Sequence, residues 1–399
     1  MRDVVIVDAV RTPIAKYNGA FKDIRPDDLG AIVIKALIDR NPSVPYGMIE
    51  EVVFGNANGA GEDNRNVARM SALLAGLPVC VAGTTINRLC GSGLDAVMYA
   101  ARAIAIGEGD IYIAGGTESM TRSPFVMAKP SKEFPRGDIQ LHDTTIGWRF
   151  VNQKLKAMYG VDTMPETAEN VAIEFGITRE EQDNFALESQ LKARKAMYED
   201  RFASEIIPVT IVDKIGIETV ITKDEHPRHN STIEKLQKLK PLFANGTVTA
   251  GNASGINDGA SALLIMSAKK AKELNLQPLV KYVVGATAGC EPRVMGMGPI
   301  FAMKKALQRS SLTIHDMDLI ELNEAFASQS LECIRQLEIP IEKVNVNGGA
   351  IAFGHPLGAS GARILTTLIH EMKRRDDRFG AATMCVGVGQ GIAVIVENI

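Results

Sequence analysis

Asn87-Arg88-Leu89-Cys90-Gly91-Ser92-Gly93 leads into Leu94, Val97, Met98 and Ala101 at helical spacing, then into Ile111-Tyr112-Ile113-Ala114-Gly115-Gly116. The glycine-rich junction opens an amphipathic helix, and the last run reads as a short buried strand. The same order returns in the second half of the chain. There Asn347 leads through Gly358 and Gly361 into Ile364, Leu365, Leu368, Ile369 and Met372, followed by Ala381-Ala382-Thr383-Met384-Cys385 and Gly387-Val388-Gly389. The units just upstream match as well. Pro26 to Asn56 reads as a helix (Leu29, Ile32, Val33, Leu37), a polar turn and the strand Glu51–Asn56. Gly298 to Asn323 reads as the helix Phe301 to Leu307, a turn and the strand Asp318–Asn323. An offset of roughly 270 residues is too long for a solenoid and predicts a duplicated domain. Short apolar runs alternating with amphipathic stretches predict an α/β class with largely buried strands.

Between about Thr121 and Thr249 the composition turns polar, with helices expected near Ala168–Phe175 and Thr178–Met197. Thr178 and Glu181 have capping-box spacing. The expected organisation is a first half over 1–121 completed by about 249–272, an insertion over 122–248, and a second half over 273–399. Insertions of this kind commonly shape ligand sites. Val4 to Val7 reads as a buried first strand, ended by Asp8.

The bulk properties exclude some classes. A net charge of −3 over 399 residues gives no basic field for nucleic acid. An acidic ligand would have to be held by local groups. The apolar run at the N-terminus is too short for a signal segment or a membrane span. Cys80, Cys90, Cys290, Cys333 and Cys385 are odd in number and scattered, and none forms a C-x-x-C pair. Neither a zinc site nor a disulfide framework is expected, and reduced thiols fit a cytoplasmic enzyme.

Four places carry chemistry. Cys90 precedes a helix, where free N–H groups and the dipole favour thiolate; as a small buried hydrophobe it would be equally ordinary. Gly91-Ser92-Gly93-Leu94-Asp95-Ala96 also fits a dinucleotide fingerprint, with Glu118 at a suitable distance downstream. That fingerprint normally follows the first strand of its domain, and here it does not. His355 lies in the turn Gly354-His355-Pro356, where packing explains it poorly. Asn323 closes a strand, with capping as its bland role. Cys385 ends a buried strand before a glycine run. The repeat puts Cys90 and His355 at corresponding strand-to-helix junctions and Asn323 and Cys385 at strand ends, where ligands gather in α/β sheets.

Together, Asn87–Gly93, Asn323-Glu324-Ala325-Phe326, Gly354-His355-Pro356-Leu357-Gly358 and Cys385-Val386-Gly387 resemble the motifs of thiolases. So do Met164–Asn170 and Thr249–Ser254, and the resemblance covers essentially the whole chain. It implies two βαβαβαββ halves in a layered α-β-α-β-α core, with the inserted loop domain binding coenzyme A. It implies cleavage of a 3-oxoacyl-CoA through an acyl thioester on Cys90, without a metal or a tightly bound cofactor. His355 would take the Cys90 proton and help hold the substrate oxyanion, and Asn323 would position a water there. The N–H groups of Cys90 and Gly387 would hold the acyl-enzyme oxygen, and Cys385 would protonate the leaving enolate. For that task Cys385 needs a pKa closer to working pH than that of a free thiol. By the same resemblance Arg228, Ser254, Met164, Phe243 and Phe326 contact CoA, while His226, His229 and Arg293 read as surface residues. Homodimers or homotetramers are implied, with Thr121–Ile146 as a tetramer contact. Thr163 stands where thiolases that condense two acetyl-CoA often carry histidine. With Gly61-Glu62-Asp63-Asn64-Arg65-Asn66 it resembles the degradative branch that takes 3-oxoadipyl-CoA; acetoacetyl-CoA and straight-chain substrates are the alternatives. A dicarboxylic acyl chain would want a cation, with Arg65, Arg69 and Arg88 as candidates. The rivals are an NAD-dependent dehydrogenase, a ketosynthase (which usually has a second histidine at the Asn323 position) and a thiolase-like protein that binds CoA without turnover.

Overall fold

The computed structural model describes residues 1–399 apart from positions 135 and 213, which both fall within the expected insertion. In the first half, β1 (Val4–Arg11), α1 (Pro26–Arg40), β2 (Ile49–Gly55), α2 (Val67–Leu74), β3 (Ala82–Ile86), α3 (Ser92–Ile106) and β4 (Ile111–Ser119) follow one another. The insertion contributes α4 (Met164–Phe175) and α5 (Arg179–Tyr198), and β5 (Asn257–Ser267) returns to the first half. The second half is β6 (Val280–Gly289), α6 (Gly298–Ser310), β7 (Leu319–Leu322), α7 (Ala327–Gln336), α8 (Leu357–Arg375), β8 (Phe379–Val386) and β9 (Gln390–Asn398).

These nine strands lie in one ten-stranded sheet in the order β7-β8-β9-β6-β1-β5-β4-β2-β3, and the tenth, Ala15–Lys16, pairs with β5 off that path. The duplication is visible in that order. Running outward from β1 the first half reads β1-β5-β4-β2-β3, and outward from β6 the second reads β6-β9-β8-β7. Where β3 pairs parallel to β2, the second half has only a parallel bridge from Ile320 to Val344. The halves join through two antiparallel pairs, Val5 with Lys281 and Ile6 with Val280.

So slight a seam needs a second bond between the halves, and helices supply it. α3 and α8 pack on each other and each touches strands of both halves. Leu94, Val97 and Met98 share one core with Leu365, Leu368 and Ile369. α1 and α6 cover the outer faces over separate cores, which gives the layers α-β-α-β-α. The central helices meet backbone to backbone: a Cβ on Gly93 would stand 2.7 Å from Gly358 O and 2.9 Å from Ala362 N. The window Leu89–Ile106 is long and apolar enough to cross a membrane, but in this fold it is the middle of that core.

Two boundaries differ from the sequence expectation. β1 runs past Asp8 to Arg11 with every residue buried. Asp8 accepts from Asn41 Nδ2 at 2.9 Å and pairs with Arg40 at 3.0 Å. Arg11 lies between Glu205 (2.5 Å) and Asp224 (2.7 Å), both supplied by the insertion. Charges are tolerated there because each is paired. α4 begins at Met164 rather than Ala168, because Thr163 and Glu166 form a capping box and Pro165 suits the first turn. Thr178 and Glu181 form the expected capping box on α5.

Candidate active site

Cys90 stands just before Gly91, the N-cap of α3. Leu89, immediately ahead of it, adopts φ +47°, a left-handed conformation that non-glycine residues seldom take. Local hydrogen bonds hold it: Leu89 N donates to Asn87 Oδ1 at 2.9 Å, and Ser92 Oγ donates to Leu89 O at 2.6 Å. The loop after Cys385 is bent in the same way, with Val388 at φ +61°. Two such residues, each costing about 1–3 kcal/mol, face one another across a single site.

That site is a cavity of about 250 Å³ lined by Cys90, Leu89, Asn58, Glu118, Met164 and Gly387, with Thr144 to Arg149 forming a further wall. The Cys90 sulfur accepts from the N–H groups of Gly387 and of Cys90 itself. These donors lower its pKa, but burial raises it more, to about 11. The thiolate expected from the helix N-terminus is therefore not the resting form; desolvation outweighs the dipole. Cys385 departs from expectation in the same direction. Burial and the nearby Cys90 and Cys290 thiols hold its pKa well above the ordinary value.

His355 is buried in the turn before α8, where Gly354 has φ +97° and any Cβ would fall 2.2 Å from Asn257. Asn257 Oδ1 accepts from His355 N at 3.0 Å. Ser360 Oγ donates to Pro356 O at 2.9 Å and lies 2.6 Å from His355 Nδ1. With its only proton so used, the hydroxyl accepts from Nδ1–H, which leaves Nε2 as a free lone pair. Burial, with Arg363 nearby, pushes the His355 pKa down to about 3, so the ring rests neutral. Asn323 Nδ2 stands 3.5 Å from Nε2. Asn323 Oδ1 is buried without a protein partner among the described residues.

Gln329, on α7, continues the chain of contacts. Turned so that its oxygen accepts from Ser330 N (2.7 Å) and Oγ (3.0 Å), its amide nitrogen faces Asn323 O at 3.3 Å. That end of the side chain is also 3.2 Å from Cys385 Sγ. His355, Asn323, Gln329 and Cys385 thus form one linked set, and Gly387, two residues beyond Cys385, reaches Cys90.

Of the five expected CoA contacts, Met164 lines the cavity. Phe326 and Met164 share an apolar cluster with Cys385 and Ala253. Ser254 lies alongside, its N–H donating to Ala325 O at 3.0 Å. Phe243 is half-buried and Arg228 exposed, and neither reaches the cavity wall. His226, read as a surface residue, is half-buried with Nδ1 3.2 Å from Asn257 Nδ2. Its pKa falls to about 4, by burial and then by Arg228.

Gln329, Asn257 and Glu118 are functional candidates that sequence reasoning missed. Glu118, weighed only as a ribose ligand, instead accepts from Ala57 N (2.8 Å), Asn58 N (3.2 Å) and Gly358 N (2.8 Å). It thereby ties the cavity floor to the start of α8. Burial and then Asp63 raise its pKa to about 7.

A duplicated α/β fold with Cys90 on a cavity, and a histidine, two buried amides and a second thiol linked to it through Gly387, fits an acyl-transferring enzyme. Family comparison agrees over the whole length: the thiolase N-terminal domain matches residues 4–269 and the thiolase C-terminal domain residues 276–398. The chain belongs to the thiolase family. It is 55% identical to the beta-ketoadipyl-CoA thiolase of Acinetobacter baylyi, over all of both chains. It is equally similar, 55% over all of both chains, to the 3-oxoadipyl-CoA/3-oxo-5,6-dehydrosuberyl-CoA thiolase of Escherichia coli. Among solved structures it resembles the acetyl-CoA acetyltransferase of Bacillus anthracis, with a TM-score of 0.92 and 41% identity, covering 100% of this chain and 99% of that one.

Proposed function

We propose that this thiolase cleaves 3-oxoadipyl-CoA with coenzyme A into acetyl-CoA and succinyl-CoA, and that Cys90 carries the succinyl group between the two steps. The observation that carries the reading is the placement of Cys90 at the floor of the cavity with the Gly387 N–H on its sulfur. As Cys90 attacks the 3-oxo carbon, its proton passes to the neutral Nε2 of His355, and the imidazolium with Asn323 holds the oxyanion. Cys385 then protonates the acetyl-CoA enolate as the carbon–carbon bond breaks. The thioester oxygen rests on the N–H groups of Cys90 and Gly387; His355 returns its proton to Cys385, and the freed ring deprotonates the incoming CoA, which removes the acyl group. Proton transfer coupled to attack suits two neutral groups; a preformed thiolate–imidazolium pair does not, because Cys90 is raised to about 11 and His355 lowered to about 3. Met164, Phe326, Ser254, Phe243 and Arg228 are the residues that would meet CoA, which arrives as substrate.

The names of the relatives favour the dicarboxylic substrate. Five unpaired thiols suit a reducing cytoplasm. The chain would form a homodimer or homotetramer; exposed Phe125, Met127, Ile139 and Leu141 support the segment Thr121–Ile146 as the tetramer contact.

Loss of 3-oxoacyl-CoA absorbance would be followed with acetoacetyl-CoA, 3-oxoadipyl-CoA and a medium-chain 3-oxoacyl-CoA. The wild type should cleave 3-oxoadipyl-CoA best, in a CoA-dependent reaction, and Cys90→Ala should lower kcat on the order of 10⁴-fold or more. Preference for another of the three would overturn the substrate. Full activity in Cys90→Ala would overturn the mechanism.

A further inference from the structure

A dicarboxylic acyl group needs a cation where its free end lies, and none of the three arginines suggested by sequence is placed to act. Arg65 is exposed. Arg69 is committed to the carbonyls of Val79, at 3.0 Å, and Val81. Arg88 is bound to Asp95 at 2.8 Å. The wall of the Cys90 cavity holds a different one, Arg149.

The wall that carries Arg149 is built from several anchored residues. Asn58 Nδ2 donates to Thr144 Oγ1 at 3.1 Å, and Thr145 N donates to Asp143 Oδ1 at 2.8 Å. Trp148 Nε1 donates to Asp162 O at 3.1 Å. Arg149 itself is half-buried, and its guanidinium makes one long hydrogen bond, 3.4 Å, to Asn58 O. Among the described residues it has no ion pair with any carboxylate. The two acidic residues beside it on the cavity wall are already engaged: Glu118 by backbone N–H groups, and Asp162 by Asn170 Nδ2 at 2.7 Å. A half-buried guanidinium with no carboxylate partner and one long bond to a protein acceptor leaves its fork free for a planar anion. The fork matches a carboxylate with two prongs, and Arg149 shares its cavity with Cys90, which points to the carboxylate of an acyl group carried on that thiol.

We propose that Arg149 binds the terminal carboxylate of the acyl group and is the residue that selects dicarboxylic 3-oxoacyl-CoA. This rests on the substrate reading above. Glu118 and Asp162 line the same space, so without Arg149 an entering carboxylate would meet acidic side chains and, among the described residues, no cation on the cavity wall.

The test compares 3-oxoadipyl-CoA with 3-oxohexanoyl-CoA, which has the same carbon chain without the carboxylate, in wild type, Arg149→Met and Arg149→Lys. Arg149→Met should lose roughly 10- to 100-fold in kcat/KM on 3-oxoadipyl-CoA, mostly through KM, and no more than about 3-fold on 3-oxohexanoyl-CoA. Arg149→Lys should recover part of the loss, since it restores the charge without the fork. Three results would overturn the assignment. If wild type prefers 3-oxoadipyl-CoA and Arg149→Met keeps that preference, the residue is wrong and the substrate reading stands. If wild type shows no preference for the carboxylate, the substrate reading fails and Arg149 with it. If both substrates weaken alike and the KM for CoA rises, Arg149 serves the phosphates of CoA. Thermal melting of each variant separates a misfolded chain from a specific loss.

Discussion

The two halves of the chain follow one plan and carry different side chains at its corresponding junctions. In the first, the junction entering α3 holds Cys90, half-open to the cavity beside a strained Leu89. In the second, the junction entering α8 holds His355, and the ends of β7 and β8 hold Asn323 and Cys385, all buried. Duplication explains why these places exist in pairs. Packing of α3 on α8, with Gly93 against Gly358, explains why they face each other. The lesson is that symmetry of backbone supplied equivalent positions, and in the proposed mechanism one copy holds the nucleophile while the other holds the proton-handling groups.

The sharpest way to break that division is to remove a residue from the second half alone. Cys385→Ala should lower cleavage of 3-oxoacyl-CoA by on the order of 10²–10⁴-fold, the range for a positioned general acid. Acetylation of Cys90 by acetyl-CoA needs no carbon protonation, so it should persist in this variant. Intact-protein mass spectrometry after incubation with acetyl-CoA reads it directly. If acetylation disappears together with cleavage, the two halves do not divide the work in this way.

A second prediction concerns the seam itself. Glu118 belongs to the first half and accepts the Gly358 N–H of the second. Its folded pKa is about 7, above the ordinary 4.5. A raised pKa means that the folded state holds the proton more tightly. The contribution to stability is therefore complete below about pH 4.5 and is lost as pH rises through 7. A shift of this size corresponds to about 3 kcal/mol. His355 and His226 act with the opposite sign: buried neutral, they cost stability as pH falls from 6.5 towards 3 and 4 respectively. Subtracting the melting curves of Glu118→Gln from those of wild type isolates the seam. The deficit of the variant should shrink by about 3 kcal/mol between pH 5 and pH 8. A deficit independent of pH would mean that Glu118 does not titrate in that interval.

What could be read in the sequence follows the same line between repeated pattern and tertiary closure. Helix and strand periods recur in both halves, so the duplicated fold and its two junctions were legible, as were Cys90, Asn323, His355 and Cys385 within their motifs. Strand β1 was cut short at Asp8 because the partners that neutralise Asp8 and Arg11 lie far along the chain. The thiol acidities were misread because a helix N-terminus shows in sequence and desolvation does not. Arg149 was passed over in favour of arginines closer in sequence to the glycine motifs; only folding of the inserted loop brings it to the cavity. Gln329 lies six residues beyond Asn323, across the junction from strand to helix, and no local pattern tells that its amide turns towards Cys385.

The smallest expected effect is the one that best separates the two thiols. Gln329 touches Cys385 and not Cys90, so its loss should be felt on one side of the division only. An amide N–H directed at sulfur stabilises thiolate over thiol; Gln329→Met removes it while keeping the volume, and so raises the Cys385 pKa further. A charge-assisted hydrogen bond of this kind is worth about 1.5–3 kcal/mol, which is roughly 10- to 150-fold in rate. Cleavage should fall by about that factor. In the synthetic direction Cys385 must act as a base, so the ascending limb of the rate–pH profile should move to higher pH. Acetylation of Cys90 by acetyl-CoA should be unchanged. Equal losses in both half-reactions, with no movement of the profile, would show that Gln329 merely fills space beneath β7. A shifted profile with intact acetylation would mean that the buried amide chain from His355 to Cys385 tunes the second thiol independently of the first.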